Sequence, residues 1–160
     1  NGCCEPGRRV LEARANLMWA SSVGLNGLLS SGKKGDWATH YIEHEISALF
    51  DLTHGIGLAM ITPRWMKNAL PDITERLAAY GRNVWGIKET DELKAAEKAI
   101  TKTYDFFISL GIPMTLTAAG IKIDKHLIGQ MADKIMSIGV IGDAKKLTRS
   151  DVVEILENIG

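Results

Sequence analysis

From Leu11 onward, apolar and small residues return at steps of three and four: Leu11, Ala15, Met18, Trp19, Ser22, Leu25 and Leu29. That spacing marks one face of a helix. Turn formers end it at Ser30-Ser31-Gly32-Lys33-Lys34-Gly35. A second helix is predicted over 37–50, with Tyr41, His44, Ala48 and Leu49 roughly on one side, closed by Asp51-Leu52-Thr53-His54-Gly55. Residues 56–70 are mostly apolar and contain Gly57 and Pro63, which predicts a buried helix kinked or restarted at Pro63. Pro71-Asp72 opens another, with Ile73, Leu77 and Tyr80 as its inner stripe and Gly81 or Gly86 near its end.

Thr90-Asp91-Glu92 reads as an N-cap followed by acidic first-turn residues. The helix behind it carries Leu93, Ala96, Ile100, Tyr104 and Phe107 and stops at Gly111-Ile112-Pro113. Asp124 starts a helix ending near Gly139, and a short last one covers 148–159. Strand-like stretches such as Ile121 to Ile123 are too short to make a sheet. The expected fold is all-α, a bundle of six to eight helices with short links.

Composition narrows the function classes. The 160 residues hold 46% hydrophobic and 24% charged positions, the make-up of an ordinary globular protein with a sizeable core. Nineteen basic and nineteen acidic residues cancel, without a block of like charge, so neither nucleic acid nor a membrane surface is expected as a partner. No apolar run is long enough to span a bilayer and no signal peptide is evident. The cysteines, Cys3 and Cys4, are adjacent and read as incidental thiols, which makes the cytoplasm the expected compartment.

Three of the four histidines, His40, His44 and His54, fall within fifteen residues. His40 and His44 are one turn apart on a helical face, and a chain reversing after Phe50 can return His54 to it. Imidazole suits a divalent transition metal as a neutral donor. A lone histidine on a half-buried helix is more often a hydrogen-bonded core residue, but three so close, two of them flanking a turn, favour a metal. Glu43, Glu45 and Asp51 can complete such a set, although solvated helix charges are the ordinary reading for them. His126 is given no role.

Two nucleotide-like strings fail. Residues 27–34, Gly-Leu-Leu-Ser-Ser-Gly-Lys-Lys, end in Lys34 where a phosphate loop needs a hydroxyl, and they follow a helix rather than a strand. Gly55-Ile56-Gly57 lacks the third glycine of a dinucleotide fingerprint, since Met60 stands there. This chain is expected to hold no cofactor-binding residues of its own.

The strings Ala13-Arg14-Ala15-Asn16-Leu17-Met18-Trp19-Ala20, Leu25-Asn26-Gly27-Leu28, Asp36-Trp37-Ala38-Thr39-His40, His44-Glu45 and Thr53-His54-Gly55, with Leu58-Ala59 and Pro63 behind them, resemble the iron-containing alcohol dehydrogenase family. The branch most resembled is that of butanol dehydrogenases and broad aldehyde reductases. Tyr80-Gly81, Val84-Trp85, Phe106-Phe107, Leu110-Gly111-Ile112-Pro113 and the tail from Leu147-Thr148 to Ile155 fit the same pattern.

The resemblance implies the C-terminal helical domain of a two-domain enzyme whose other half binds NAD(P). It implies one divalent metal, iron with zinc or nickel as alternatives, held by an aspartate and three histidines, of which His40 and His54 match the last two. His44 matches a further histidine beside the metal, near nicotinamide and substrate, and takes the catalytic role of proton relay. The substrate implied is a primary alcohol or its aldehyde. Residues 1–11 read as an unstructured or extraneous lead-in, residues 12–160 as the metal-binding domain, and the nucleotide-binding domain as absent. The isolated chain is expected to be inactive and to form homo-oligomers. The alternative is a non-catalytic helical binding or assembly module that keeps the histidines as relics.

Overall fold

The computed structural model describes residues 11–32 and 34–160. Cys3, Cys4 and the lead-in as far as residue 10 lie outside the described residues, as does Lys33. The chain divides into two compact units, one ending at Gly35 and one spanning Asp36–Gly160. Among the described residues there are six α-helices, one 3-10 turn and no strand, so the fold is all-α.

The first unit contains α1 (Leu11–Leu25) and the 3-10 turn Leu28–Ser30. Gly27, at φ 86°, separates them, a left-handed conformation that glycine adopts without steric cost. The single helix expected through Leu29 is thus interrupted at Asn26-Gly27. No residue of α1 is buried.

The second unit holds α2 (Ala38–Phe50), α3 (His54–Trp85), α4 (Glu92–Ser109), α5 (Lys125–Met136) and α6 (Arg149–Glu157). Its main core gathers Ala38, Ile42 and Ile46 of α2, Met60 and Ile61 of α3, Met131 and Ile135 of α5, and Val152, Ile155 and Leu156 of α6. The buried face of α2 is therefore the i, i+4 row Ala38-Ile42-Ile46, while Tyr41 and Leu49 face outward. Long link segments are held by the backbone: the Leu116 N–H donates to the Ile159 carbonyl at 2.6 Å, and the Leu147 N–H to that of Ile141 at 3.1 Å.

Helix α3 stays helical through Pro63 and breaks instead at Ile73, where φ −132° and ψ 28° follow Pro71 by two residues. On both sides of the break it packs on α4, with Ala69, Ile73, Leu77 and Ala78 of α3 clustered with Ala95 and Ala96 of α4. Gly81 lets the helices approach: a Cβ there would meet the Ala99 Cβ at 2.9 Å. The alanine row explains why Leu93 stays exposed although its spacing suits an inner stripe. Side-chain caps start three helices, Asp91 accepting from the Lys94 N–H, Asp124 from that of Leu127, and Thr148 from that of Asp151 in a capping box.

Candidate metal centre

The start of α2 is set by Asp36. Its Oδ1 accepts from the Ala38 N–H at 2.9 Å, and its Oδ2 accepts from the N–H groups of Asp143 and Ala144 at 2.7 and 2.8 Å. One carboxylate thus caps the histidine-bearing helix and ties it to the loop before α6. Neither composition nor helical spacing marks Asp36, because its loop partners lie more than a hundred residues away.

The helix ends at an elbow of three residues. Asp51 takes the left-handed conformation, φ 51° and ψ 36°, and its N–H donates to the Ser47 carbonyl at 2.9 Å. Aspartate is among the side chains that tolerate this region. Thr53 then opens α3, its carbonyl accepting from Ile56 and Gly57, so His54 returns beside the helix the chain has just left. Asp51 is therefore an exposed cap. Glu45 is paired with Lys134 of α5 at 2.8 Å.

The three histidines come together. Ring centroids are 5.3 Å apart for His40 and His54, 5.3 Å for His44 and His54, and 6.3 Å for His40 and His44. Trp37 meets the His40 ring edge-on at 4.8 Å. His40 is partly buried, and its Nδ1 has no hydrogen-bond partner among the described residues. Burial pushes the His40 pKa down, and the neighbouring imidazoles His54 and His44 push the same way against the weaker opposite pull of Glu43. His40 is thereby favoured as a neutral donor, the form that binds a metal.

Glu43 is the residue that sequence reasoning undervalued. Its side chain is fully buried, not solvated. One carboxylate oxygen contacts His54 Nδ1 and the other the Ser47 hydroxyl. That hydroxyl also donates to the Leu52 carbonyl at 2.8 Å, and its single proton serves one acceptor at a time. The sequence signal was its position: Glu43 stands directly beside Ile42 and three residues before Ile46, within the buried arc of α2.

Glu43, His44 and His54 offer ligand atoms that all lie within 4.8 Å of one another. Imidazole nitrogens gathered beside a buried carboxylate fit a divalent cation, which supplies the charge that the carboxylate otherwise lacks. His44 is exposed and borders a hollow of about 330 Å³ with Tyr41, Glu45, Lys134, Ile135 and Ile138. A separate cavity of about 280 Å³, lined by Pro63, Arg64, Tyr104 and Ile155 among others, contains no histidine. His126 lies exposed in the first turn of α5. No helix among the described residues is long and apolar enough to cross a membrane.

A sequence profile of the Fe-containing alcohol dehydrogenase family, C-terminal, matches residues 7–160. The chain is 49% identical over 149 residues to NADH-dependent butanol dehydrogenase A of Clostridium acetobutylicum, covering 91% of this chain and 38% of that protein. It is 33% identical over 132 residues to the NADPH-dependent aldehyde reductase YqhD of Escherichia coli, covering 76% of this chain and 34% of that one. The crystal structure of NADH-dependent butanol dehydrogenase A from Thermotoga maritima superposes with a TM-score of 0.84 at 34% identity, over 92% of this chain and 39% of that chain. The chain therefore spans less than two fifths of the length of these relatives.

Proposed function

Because the chain belongs to the Fe-containing alcohol dehydrogenase family, we propose that it is the helical, metal-binding part of an NAD(P)-linked alcohol dehydrogenase or aldehyde reductase. The observation that carries this reading is the convergence of His40, His44 and His54 on one spot beside a buried carboxylate. In this reading His40 and His54 are metal ligands and the remaining ligands come from outside these residues. No nucleotide contact is assigned to this chain.

When bound, the ion supplies Lewis acidity toward a substrate oxygen and the nicotinamide carries the electrons. The chain's own residues hold and shield that position. His40, kept neutral by burial, offers a lone pair, and Trp37 covers its ring edge. The elbow at Asp51 returns His54 to the same spot. His44, solvent-facing one turn along α2, would take up the hydroxyl proton as a primary alcohol is oxidised and return a proton to the oxygen as its aldehyde is reduced. Iron, zinc and nickel all accept imidazole nitrogen, so the donor set favours no single one of them.

Self-association belongs to the same proposal. Helix α1 leaves Leu17, Met18, Trp19 and Leu25 uncovered, apolar surface of the kind a second copy would bury. A monomer in sedimentation at micromolar concentration would contradict it.

Elemental analysis of the purified chain, alongside His40→Ala and His54→Ala, tests the metal assignment. Iron, zinc or nickel that either variant loses supports it. Metal content unchanged in both variants would move the site elsewhere.

A further inference from the structure

This inference rests on the metal reading above and concerns what holds one of its ligands. Glu43 is 0% exposed, yet among the described residues its carboxylate makes no ion pair with a lysine or arginine. Its partners are His54 Nδ1 and the Ser47 hydroxyl, and that hydroxyl also reaches the Leu52 carbonyl in the elbow. The space is made for it: a Cβ on Gly57 would lie 2.6 Å from Glu43 Oε1 and 2.7 Å from its Cγ. A glycine and a hydroxyl therefore both serve one carboxylate, and that carboxylate is spent on one nitrogen of one imidazole.

We infer that Glu43 is a positioning residue for His54. It accepts a hydrogen bond from a protonated Nδ1, which fixes the tautomer and plane of the ring and leaves Nε2 as the free donor. The hydrogen bond at one imidazole nitrogen decides which nitrogen is left for a metal, and a carboxylate there also makes the ring a stronger base. His40 receives no such help, since its Nδ1 has no partner among the described residues. The two proposed ligands are thus held by different means, His40 by packing against Trp37 and burial, His54 by a charged hydrogen bond. A purely structural anchor would have no bearing on the tautomer of His54.

The test uses the full 160-residue chain, labelled with nitrogen-15 and free of metal. Long-range proton–nitrogen correlation at about pH 8, where an ordinary imidazole is neutral, reads which nitrogen of each histidine carries the proton. The expected result is a His54 ring protonated at Nδ1. Glu43→Ala should shift it to a mixture rich in Nε2–H, and Glu43→Gln, which keeps the shape and a weaker acceptor, should lie between. Zinc affinity, read by competition with a chromophoric chelator, should fall about 10- to 100-fold in Glu43→Ala and less in Glu43→Gln. Should Glu43→Ala fail to fold, the isosteric variant carries both readings. A His54 protonated at Nε2 in the parent, or a tautomer and affinity unmoved in a folded variant, would overturn the inference. A parent chain that binds no zinc would overturn the metal reading instead, and the tautomer, measured without metal, would still judge Glu43 separately.

Discussion

Gly57 lies against Glu43 so closely that a methyl group on it would meet the Glu43 carboxylate at 2.6 Å, whereas a methyl group on Gly55, two residues earlier in the same helix, would meet nothing within 4 Å. Alanine is the better helix former by about 1 kcal/mol, but overpacking a closed site costs about 1–3 kcal/mol. Gly57→Ala should therefore lower the free energy of unfolding, by up to about 2 kcal/mol, while Gly55→Ala should leave it unchanged or raise it slightly. Urea denaturation of both variants reads the difference. Equal midpoints would mean that Glu43 is free to move away from Gly57.

A second prediction concerns the start of the histidine-bearing helix. Asp36→Ala removes the acceptors of three backbone N–H groups, those of Ala38, Asp143 and Ala144. Leaving such donors unmade should cost about 1–3 kcal/mol. Amide exchange should speed up at those three residues and stay unchanged in α4. Uniform acceleration throughout the molecule would show instead that Asp36 supports global stability without a local role.

The helices were legible in the sequence wherever a cap or a clean stripe marked them: Asp91, Asp124 and Thr148 start helices as their residue types suggest. The grouping of His40, His44 and His54 was also legible, because two share a helical face and the third follows an obvious turn. Other features were hidden for physical reasons. The kink expected at Pro63 does not occur, since the helix runs through that proline, whereas the fresh start expected at Pro71-Asp72 falls within two residues of the break at Ile73. On the α3 side of the α3–α4 contact Ile73 and Leu77 are buried as their stripe suggests, but the α4 side is built on Ala95 and Ala96, so Leu93, the large residue that defines a stripe there by eye, stays exposed. Glu43 has the composition of a surface residue. Only the three-dimensional return of His54 gives its burial a purpose.

Acid sensitivity should centre on Asp151. Burial raises the pKa of its carboxyl, but hydrogen bonds from Thr148, Lys145 and Asn68 outweigh it and hold the group well below the usual carboxylate range. A depressed folded-state pKa means that the unfolded chain takes up the proton first, so this stability is present above about pH 4 and lost as the pH falls further. The stability gap between the parent and Asp151→Asn should be constant from about pH 5 to 8 and narrow below about pH 4. Chemical denaturation at several pH values reads it. A gap that widens on acidification would contradict the assignment.

The most discriminating variant is His44→Ala, because the geometry places His44 as near to His54 as His40 is, with both ring pairs at 5.3 Å. By ring centres the two are equal candidates for the second ligand, and by ligand atoms His44 is favoured, since it groups with Glu43 and His54 within 4.8 Å. Their surroundings differ: His40 is partly buried, with burial favouring its neutral form and Trp37 packed on its ring, whereas His44 is exposed beside a hollow in the surface. A ligand gains from being fixed and desolvated before the metal arrives, while a proton relay needs contact with substrate or water. His44→Ala should accordingly keep the zinc stoichiometry of the parent and weaken affinity by less than about tenfold, and His40→Ala should lose at least that much. In the NAD(P)-linked dehydrogenase proposed above, the same His44→Ala change should lower turnover by about 10²- to 10⁴-fold while metal content holds. Loss of metal from His44→Ala with retention in His40→Ala would exchange the two roles.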